Sequence, residues 1–327
     1  MIRDASERAA LTIGSLPLRH PTVLGPMAAL TDIAFRELLD GLGGVGLMIS
    51  EMVSAEGVRR RNRRTLDMLR TFESTTPQFV QLFGADVNGL AEAARIIEDE
   101  TSFQGIDLNF GCPAGKVTRR GAGAALLQEP GRVRRLAQGV RQAVSLPVSA
   151  KIRLGYQHEN LEEVIPSLHE AGVDAITVHF RLKSDGYATP ARWEFAAAAR
   201  RLIQVPLIGN GDINTPETAR LRLAQVDAVM IGRGALQDPL IFQKLQAADA
   251  GVGPGVTSPT AVVSRLLDLI ERHYTPEWRL NRIKAYARFL LHHRIRGKQA
   301  RQRLYAARDY PSAKAILLAY LGPRDET

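Results

Sequence analysis

Residues 206–235 read PLIGNGDINTPETARLRLAQVDAVMIGRGA, and this stretch carries the pattern on which the fold turns. A short apolar run at Pro206–Gly209 stops at Asn210-Gly211-Asp212. Thr215-Pro216-Glu217 then supplies a capping hydroxyl, a proline suited to a first helical turn and an acidic residue beside the helix start. Helical spacing runs on to Leu223. A second apolar run, Ala228–Ile231, stops at Gly232-Arg233-Gly234. Strand, helix and second strand within about 30 residues describe a βαβ unit with parallel strands.

The same alternation recurs toward the N-terminus. Apolar runs lie at Val23–Met27, Leu47–Glu51, Gln78–Phe83, Gly105–Asn109, Val148–Arg153 and Ala175–His179. Helical spacing separates them at Thr31–Leu42, Asn88–Asp99, Arg132–Val144 and Leu161–Ala171. The resulting set of strands predicts an α/β fold, a (β/α)8 TIM barrel rather than an open doubly wound sheet. The glycine fingerprint of dinucleotide-binding open sheets is missing after the first strand.

Toward the C-terminus the pattern changes. The stretch AADAGVGPGVTSP at 247–259 predicts a linker. Beyond it, Ala261–Tyr274, Arg279–Arg294, Lys298–Arg308 and Ser312–Leu321 have helical spacing and no strand signal. The expected organisation is a barrel over 1–246, a linker over 247–259 and a small all-helical C-terminal domain over 260–327.

Hydrophobic residues make up 45% of the 327 and charged ones 24%, which excludes a disordered chain. The formal charge is +9, and +8 of it lies from Thr260 onward, where 14 Lys+Arg face 6 Asp+Glu. That asymmetry fits a polyanion-binding surface or simply a soluble basic tail. The single cysteine, Cys112, excludes a disulfide framework and a multi-cysteine metal site, and fits a reducing compartment. With no signal-like N-terminus and no long apolar stretch, a cytoplasmic monomer away from membranes is expected. His292 and His293 are adjacent, about 100° apart on a helix, so no metal site is expected.

Barrel enzymes place their chemistry at the C-terminal strand ends. The polar residues there are Glu51, Gln81, Asn109, Lys151, Arg153, His179, Arg181, Asn210, Asp212 and Arg233. Any one of them could merely cap a helix, but their convergence on one mouth argues for a site. The two glycine-flanked loops, Gly209–Asp212 and Gly232–Gly234, let backbone N–H groups approach a phosphate, and Arg233 adds a planar cation. Cys112 follows the fourth strand, near Lys116, Arg119 and Arg120. It could act as a general acid, or nearby cations could make it a nucleophile. Lys151 could form a Schiff base or hold an anion.

Together these residues resemble the tRNA-dihydrouridine synthases, a family of flavin-dependent barrels. The resemblance runs from about Leu24 to Phe242 and, more faintly, through the helical tail. It is carried by Gly25-Pro26-Met27 with Thr31-Asp32, Ser50-Glu51-Met52, Gln81–Gly84, Asp107–Pro113, Lys151-Ile152-Arg153, Asp185-Gly186-Tyr187, Gly209–Asp212 and Ile231–Ala235. The barrel motifs are similar to the B-type branch, and Asn281–Lys284 to the C-type.

The resemblance implies FMN across the mouth, its phosphate at Asn210, Gly211, Asp212, Gly232 and Arg233. It implies that Pro26, Met27, Gln81, Lys151 and His179 hold the ring and ribityl chain, and that Asn109 and Arg181 face a uracil. It further implies that NADPH reduces the flavin, that hydride passes to C6 of a uridine in tRNA, and that Cys112 protonates C5. The family carries a small residue and then Arg-Thr after the strand-six histidine, where this chain has Phe180-Arg181-Leu182. The basic tail would grip tRNA through Arg282, Lys284, Arg288, Arg294, Arg296 and Lys298, and Arg59–Arg64 is a second candidate contact. Three rival readings are a dehydrogenase-like flavin barrel acting on a free pyrimidine such as dihydroorotate, a non-catalytic RNA-binding barrel, and a Schiff-base lyase. The basic tail argues against the first, the intact strand-end set against the second.

Overall fold

The computed structural model describes residues 11–253, 257–291 and 297–321. A small antiparallel hairpin, β1 (Thr12–Ile13) and β2 (Leu16–Pro17), precedes the barrel. The barrel strands are β3 (Thr22–Leu24), β4 (Leu47–Ser54), β5 (Gln78–Phe83), β6 (Gly105–Asn109), β7 (Val148–Gly155), β8 (Ala175–Leu182), β9 (Leu207–Asn210) and β10 (Ala228–Ile231). All pair in parallel and in chain order, and β10 closes on β3. The crossovers carry α1 (Ile33–Leu42), α2 (Ala55–Arg59), α3 (Arg63–Leu66), α4 (Val87–Glu100), α5 (Gly115–Thr118), α6 (Pro130–Ala143), α7 (Leu161–Glu170), α8 (Ala196–Leu202) and α9 (Pro216–Leu223). After β10 come α10 (Arg233–Gln237) and α11 (Ile241–Asp249).

Local chemistry sets these boundaries. Asp32 caps α1, its carboxylate accepting from the Phe35 N–H at 3.1 Å. Thr215 caps α9 with Pro216 in the first turn, as the sequence predicts. Strand β3 is shorter than the apolar run suggests. Beyond Leu24 the chain turns, and the Met27 carbonyl accepts from the Leu30 and Thr31 N–H groups. β4, β7 and β8 run past their expected ends, with register shifts between Ile49 and Met52 and between Arg153 and Gly155. Such bulges often sit at barrel rims and next to active sites.

The barrel interior changes character along its axis. Its lower part is apolar, with Val23, Ile49, Phe79, Ile208 and Met230 packed against Ile13 and Leu18 of the hairpin region. Higher up, buried Ser149, Asp107, Gln81 and Thr177 replace hydrocarbon. A continuous apolar layer fills the space between sheet and helices.

The tail consists of α12 (Pro259–His273), α13 (Pro276–Leu290), α14 (Gly297–Ala306) and α15 (Tyr310–Leu321), around its own cluster of Leu267, Ile283, Ala287, Leu304 and Leu317. α11 continues through Asp249 and α12 starts at Pro259, so helix enters both ends of the expected linker. Among the described residues, no helix is long and apolar enough to cross a membrane, and no three metal-ligating side chains gather.

Candidate active site

The C-terminal mouth of the barrel encloses a cavity of about 590 Å³, within the range of small-molecule and cofactor sites. The turn after β3 contributes Pro26 and Met27, β5 contributes Gln81, and β6 with its loop contributes Asn109 and Cys112. Lys151 and Arg153 enter from β7, His179 from β8, Asn210 with Gly211 and Asp212 from β9, and Gly232 with Arg233 from the turn after β10. Lys116, Tyr187 and Met52 also line the barrel side, and Arg288 and Phe289 reach in from α13. Glu51 and Arg181 do not line the cavity.

Hydrogen bonds pin the Cys112 loop from several sides. Asn109 Oδ1 accepts from the Gly111 N–H at 3.2 Å and the Cys112 N–H at 2.9 Å. Arg153 Nε donates to the Gly111 carbonyl at 2.8 Å, and Ala124 N–H to the Cys112 carbonyl at 3.0 Å. Gly123 has φ +60°, and a Cβ there would lie 2.8 Å from the Cys112 oxygen, so glycine is required. Cys112 remains partly exposed to the cavity.

Cations dominate the electrostatics. Lys151 is half-buried, and its Nζ donates to Asn210 Oδ1 at 3.2 Å. Burial, then the Arg153 charge, lowers its pKa to about 8, against the pull of Asp107. His179 is held neutral: burial first, then the Lys151, Arg153, Arg181 and Arg233 charges push its pKa well below the ordinary value. The Arg181 guanidinium lies 3.3 Å from His179 Nε2. Because a guanidinium can only donate, Nε2 accepts and the imidazole proton sits on Nδ1.

Arg181 itself is buried behind the wall. One of its guanidinium nitrogens donates to both carboxylate oxygens of Asp212, at 2.7 and 2.6 Å, and its Nε donates to the Thr189 carbonyl. In this geometry its donors are taken up beneath the loop after β9. That loop is strained, with φ +130° at Gly211 and +52° at Asp212. It is also held by the Trp193 indole N–H on the Gly211 carbonyl at 2.9 Å. Arg233 lies over the Tyr187 ring at 4.0 Å. Phe180 points outward and packs on Trp193, 4.6 Å between ring centres. Its bulk is therefore absorbed between sheet and helices, away from the mouth.

The turn after β3 is fixed from below and from the tail. Glu51 accepts from the Ala29 N–H at 2.6 Å, where Ala29 has φ +61°, and Thr31 Oγ1 accepts from the Met27 N–H at 2.9 Å. Burial raises the Glu51 pKa, a rise opposed by the Ala29 N–H. Asp32 accepts from the Tyr286 hydroxyl at 2.6 Å and from Arg282 at 3.1 Å, which joins α13 to the start of α1.

Several tail cations are thus committed inside the protein. Arg282 faces Asp32 and the Ala29 carbonyl, and Lys284 donates to the Tyr305 and Ala307 carbonyls at 2.9 and 2.7 Å. Arg288 and Lys298 are exposed, while Arg294 and Arg296 lie outside the described residues. Arg59, Arg60 and Arg61 pair with Glu56, Glu92 and Glu100, which engages three of the five arginines of the second basic cluster. Trp193 and Asp32 were not legible as site supports. No spacing marks the former, and the latter signals only a helix cap.

A family model described as dihydrouridine synthase matches residues 23–318. A protein named tRNA-dihydrouridine synthase B from Pseudomonas putida is 32% identical, over 98% of this chain and 96% of its own length. Its namesake in Salmonella typhimurium is 39% identical over 72% of this chain and 74% of its own. Among solved structures, morphinone reductase superposes with a TM-score of 0.53 at 12% identity, covering 77% of this chain and 91% of its own. Histamine dehydrogenase from Rhizobium sp. 4-9 gives 0.54 at 12% identity, over 79% and 50%. At such identity the structural likeness speaks for the barrel alone.

Proposed function

Since this chain belongs to the dihydrouridine synthase family, we propose that it reduces a uridine of tRNA to 5,6-dihydrouridine, with FMN in the barrel mouth and NADPH as reductant. The Pseudomonas putida relative, matched over 98% of this chain, carries dihydrouridine synthesis on tRNA in its name. The observation that carries the reading is the make-up of the cavity. Its walls present cations, N–H donors and a single cysteine. The one carboxylate among them, Asp212, is occupied by Arg181 and the Ala191 N–H.

These residues suit FMN. The loops at Asn210–Asp212 and Gly232–Arg233 would receive its phosphate, since a Cβ on Gly232 would meet only Met27 Sδ, at 3.6 Å, leaving that backbone open to a ligand. Pro26, Met27, Gln81, Lys151 and His179 would hold the ring system and ribityl chain. When bound, FMN supplies the hydride that C6 of the uracil accepts. Lys151 contributes a positive charge against the cofactor, and neutral His179 offers its Nδ1–H as a donor. Asn109 would orient the uracil, and the Cys112 thiol would deliver the proton to C5 as a general acid.

The tail gives the substrate its size. Arg288 and Phe289 form part of the cavity wall, so a polyanion bound along α13 and α14 would reach the mouth directly. A uridine would have to leave its stack to enter. We assign residues 1–246 to the chemistry and 260–327, through Arg288 and Lys298 foremost, to holding tRNA in the cytoplasm. The test is direct: the purified protein should be yellow, release FMN on denaturation and form dihydrouridine in tRNA when NADPH is supplied. A colourless protein that takes up no added FMN would overturn the proposal.

A further inference from the structure

Asp107 lies on β6 below the cavity, fully buried, and forms no part of its lining. Its Oδ1 accepts from Ser149 Oγ at 2.7 Å and its Oδ2 from Gln81 Nε2 at 2.7 Å. Gln81 Oε1 accepts from Asn109 Nδ2 at 2.7 Å. Asn109 Oδ1 is thereby left to receive the N–H groups of Gly111 and Cys112. These contacts form one continuous chain from a carboxylate to the backbone of the cysteine.

We propose that Asp107 is a positioning residue for Cys112, its acceptor-only carboxylate setting the direction in which Gln81 and Asn109 face. A carboxylate presents no donor, so the Gln81 NH2 must face it and the Gln81 oxygen must face Asn109. That oxygen fixes the Asn109 NH2, and the Asn109 oxygen is then aimed at the Cys112 loop. Each amide has one donor end and one acceptor end, so polarity set at Asp107 passes through both links. Reversing either amide would set like ends together in a dry layer, where unmade hydrogen bonds are costly. Arg153 and Ala124 hold carbonyls of the loop, whereas this chain holds its N–H groups.

The importance of a well-placed Cys112 for proton delivery rests on the function proposed above, but the placement itself does not. The test therefore reads the loop, by amide hydrogen exchange of the full-length protein. Asp107→Asn replaces the acceptor-only group with an amide that can present either end, so Gln81 and Asn109 lose their enforced direction and exchange at Gly111 and Cys112 should speed about tenfold, the loss of roughly one hydrogen bond. Adding Gln81→Glu returns an acceptor-only carboxylate to the chain at the wild-type net charge. The amide at position 107 then donates to the carboxylate at 81, whose other oxygen still accepts from Asn109. Exchange in the double variant should return to within about twofold of wild type.

A double variant exchanging as fast as Asp107→Asn alone would overturn the proposal, as would an Asp107→Asn protein indistinguishable from wild type. Should Asp107→Asn fail to fold, recovery of folding in the double variant supports the chain and its absence counts against it. In the wild-type protein the Cys112 N–H should exchange more slowly than that of exposed Ala114, and equal rates would refute the proposal without any variant. A protein with this exchange pattern but no uridine reduction would refute the function and leave the positioning role standing.

Discussion

Lys151 and Asn210 meet across the barrel mouth at 3.2 Å, and Asn210 in turn donates to the Met230 carbonyl at 2.8 Å. This half-buried ammonium is thus tied to the strands whose loops are assigned the FMN phosphate. Its pKa, lowered to about 8 by burial, places its titration within an accessible range. Below that value the cation is present, and above it the charge is lost. An anionic ligand binds the protonated form, so FMN affinity should fall as pH rises through about 8. Lys151→Met should bind FMN about tenfold or more weakly and remove the pH dependence. Fluorescence titration from pH 6.5 to about 9.5, spanning this transition, checks both, and a flat wild-type profile would contradict the assignment.

Cys112→Ala should leave flavin reduction by NADPH intact. Uridine reduction should drop by about 10²- to 10⁴-fold, the usual contribution of a general acid. Stopped-flow absorbance reads the first half-reaction, and dihydrouridine content of the tRNA the second. Loss of both halves would mean that the thiol serves the cofactor instead.

Arg181 separates two roles. If it braces Asp212, Arg181→Lys should speed FMN loss by about tenfold, because a lysine cannot reproduce the planar fork of donors. Affinity for tRNA in FMN-saturated protein should stay within about twofold. The opposite pattern, with FMN retained and tRNA affinity lost, would return Arg181 to the uracil.

The two tail cations Lys284 and Arg288 should also part company. Lys284→Met removes donors from two carbonyls and should lower stability by about 1–3 kcal/mol in chemical denaturation. Arg288→Ala should leave stability unchanged within about 0.5 kcal/mol while reducing the salt dependence of tRNA binding by about one unit of slope. Equal effects on binding would show that sequence charge alone predicts contact.

The barrel is legible because strands end near where a polar residue or glycine interrupts an apolar run, as at Asn109, Asn210 and Gly232. β1 and β2 were not, since two residues per strand carry no period. The apolar run over-extends β3 because Pro26 and Met27 continue it, while the turn that ends the strand depends on Thr31. The sequence picks out Arg181 but not its pairing with Asp212. Its partner is Asp212, on the next strand loop, and only closure of the barrel brings them together. Sequence marks Phe180 only as bulkier than the family's residue, whereas on β8 it turns outward against Trp193 beside inward-facing His179. In the tail, counting charges could not tell Lys284, bound to carbonyls, from Arg288, which faces the cavity.

Asp32 caps α1, receives the Tyr286 hydroxyl and pairs with Arg282, whose guanidinium also touches the Ala29 carbonyl within the turn that presents Met27. The tail is consequently not a cassette. Grafting a foreign helical module onto this barrel to redirect it to another RNA would break a carboxylate's partnerships at the cofactor's edge, unless the graft brought its own tyrosine and arginine in register. On the function proposed, substrate choice and cofactor seating would be inherited together through one side chain.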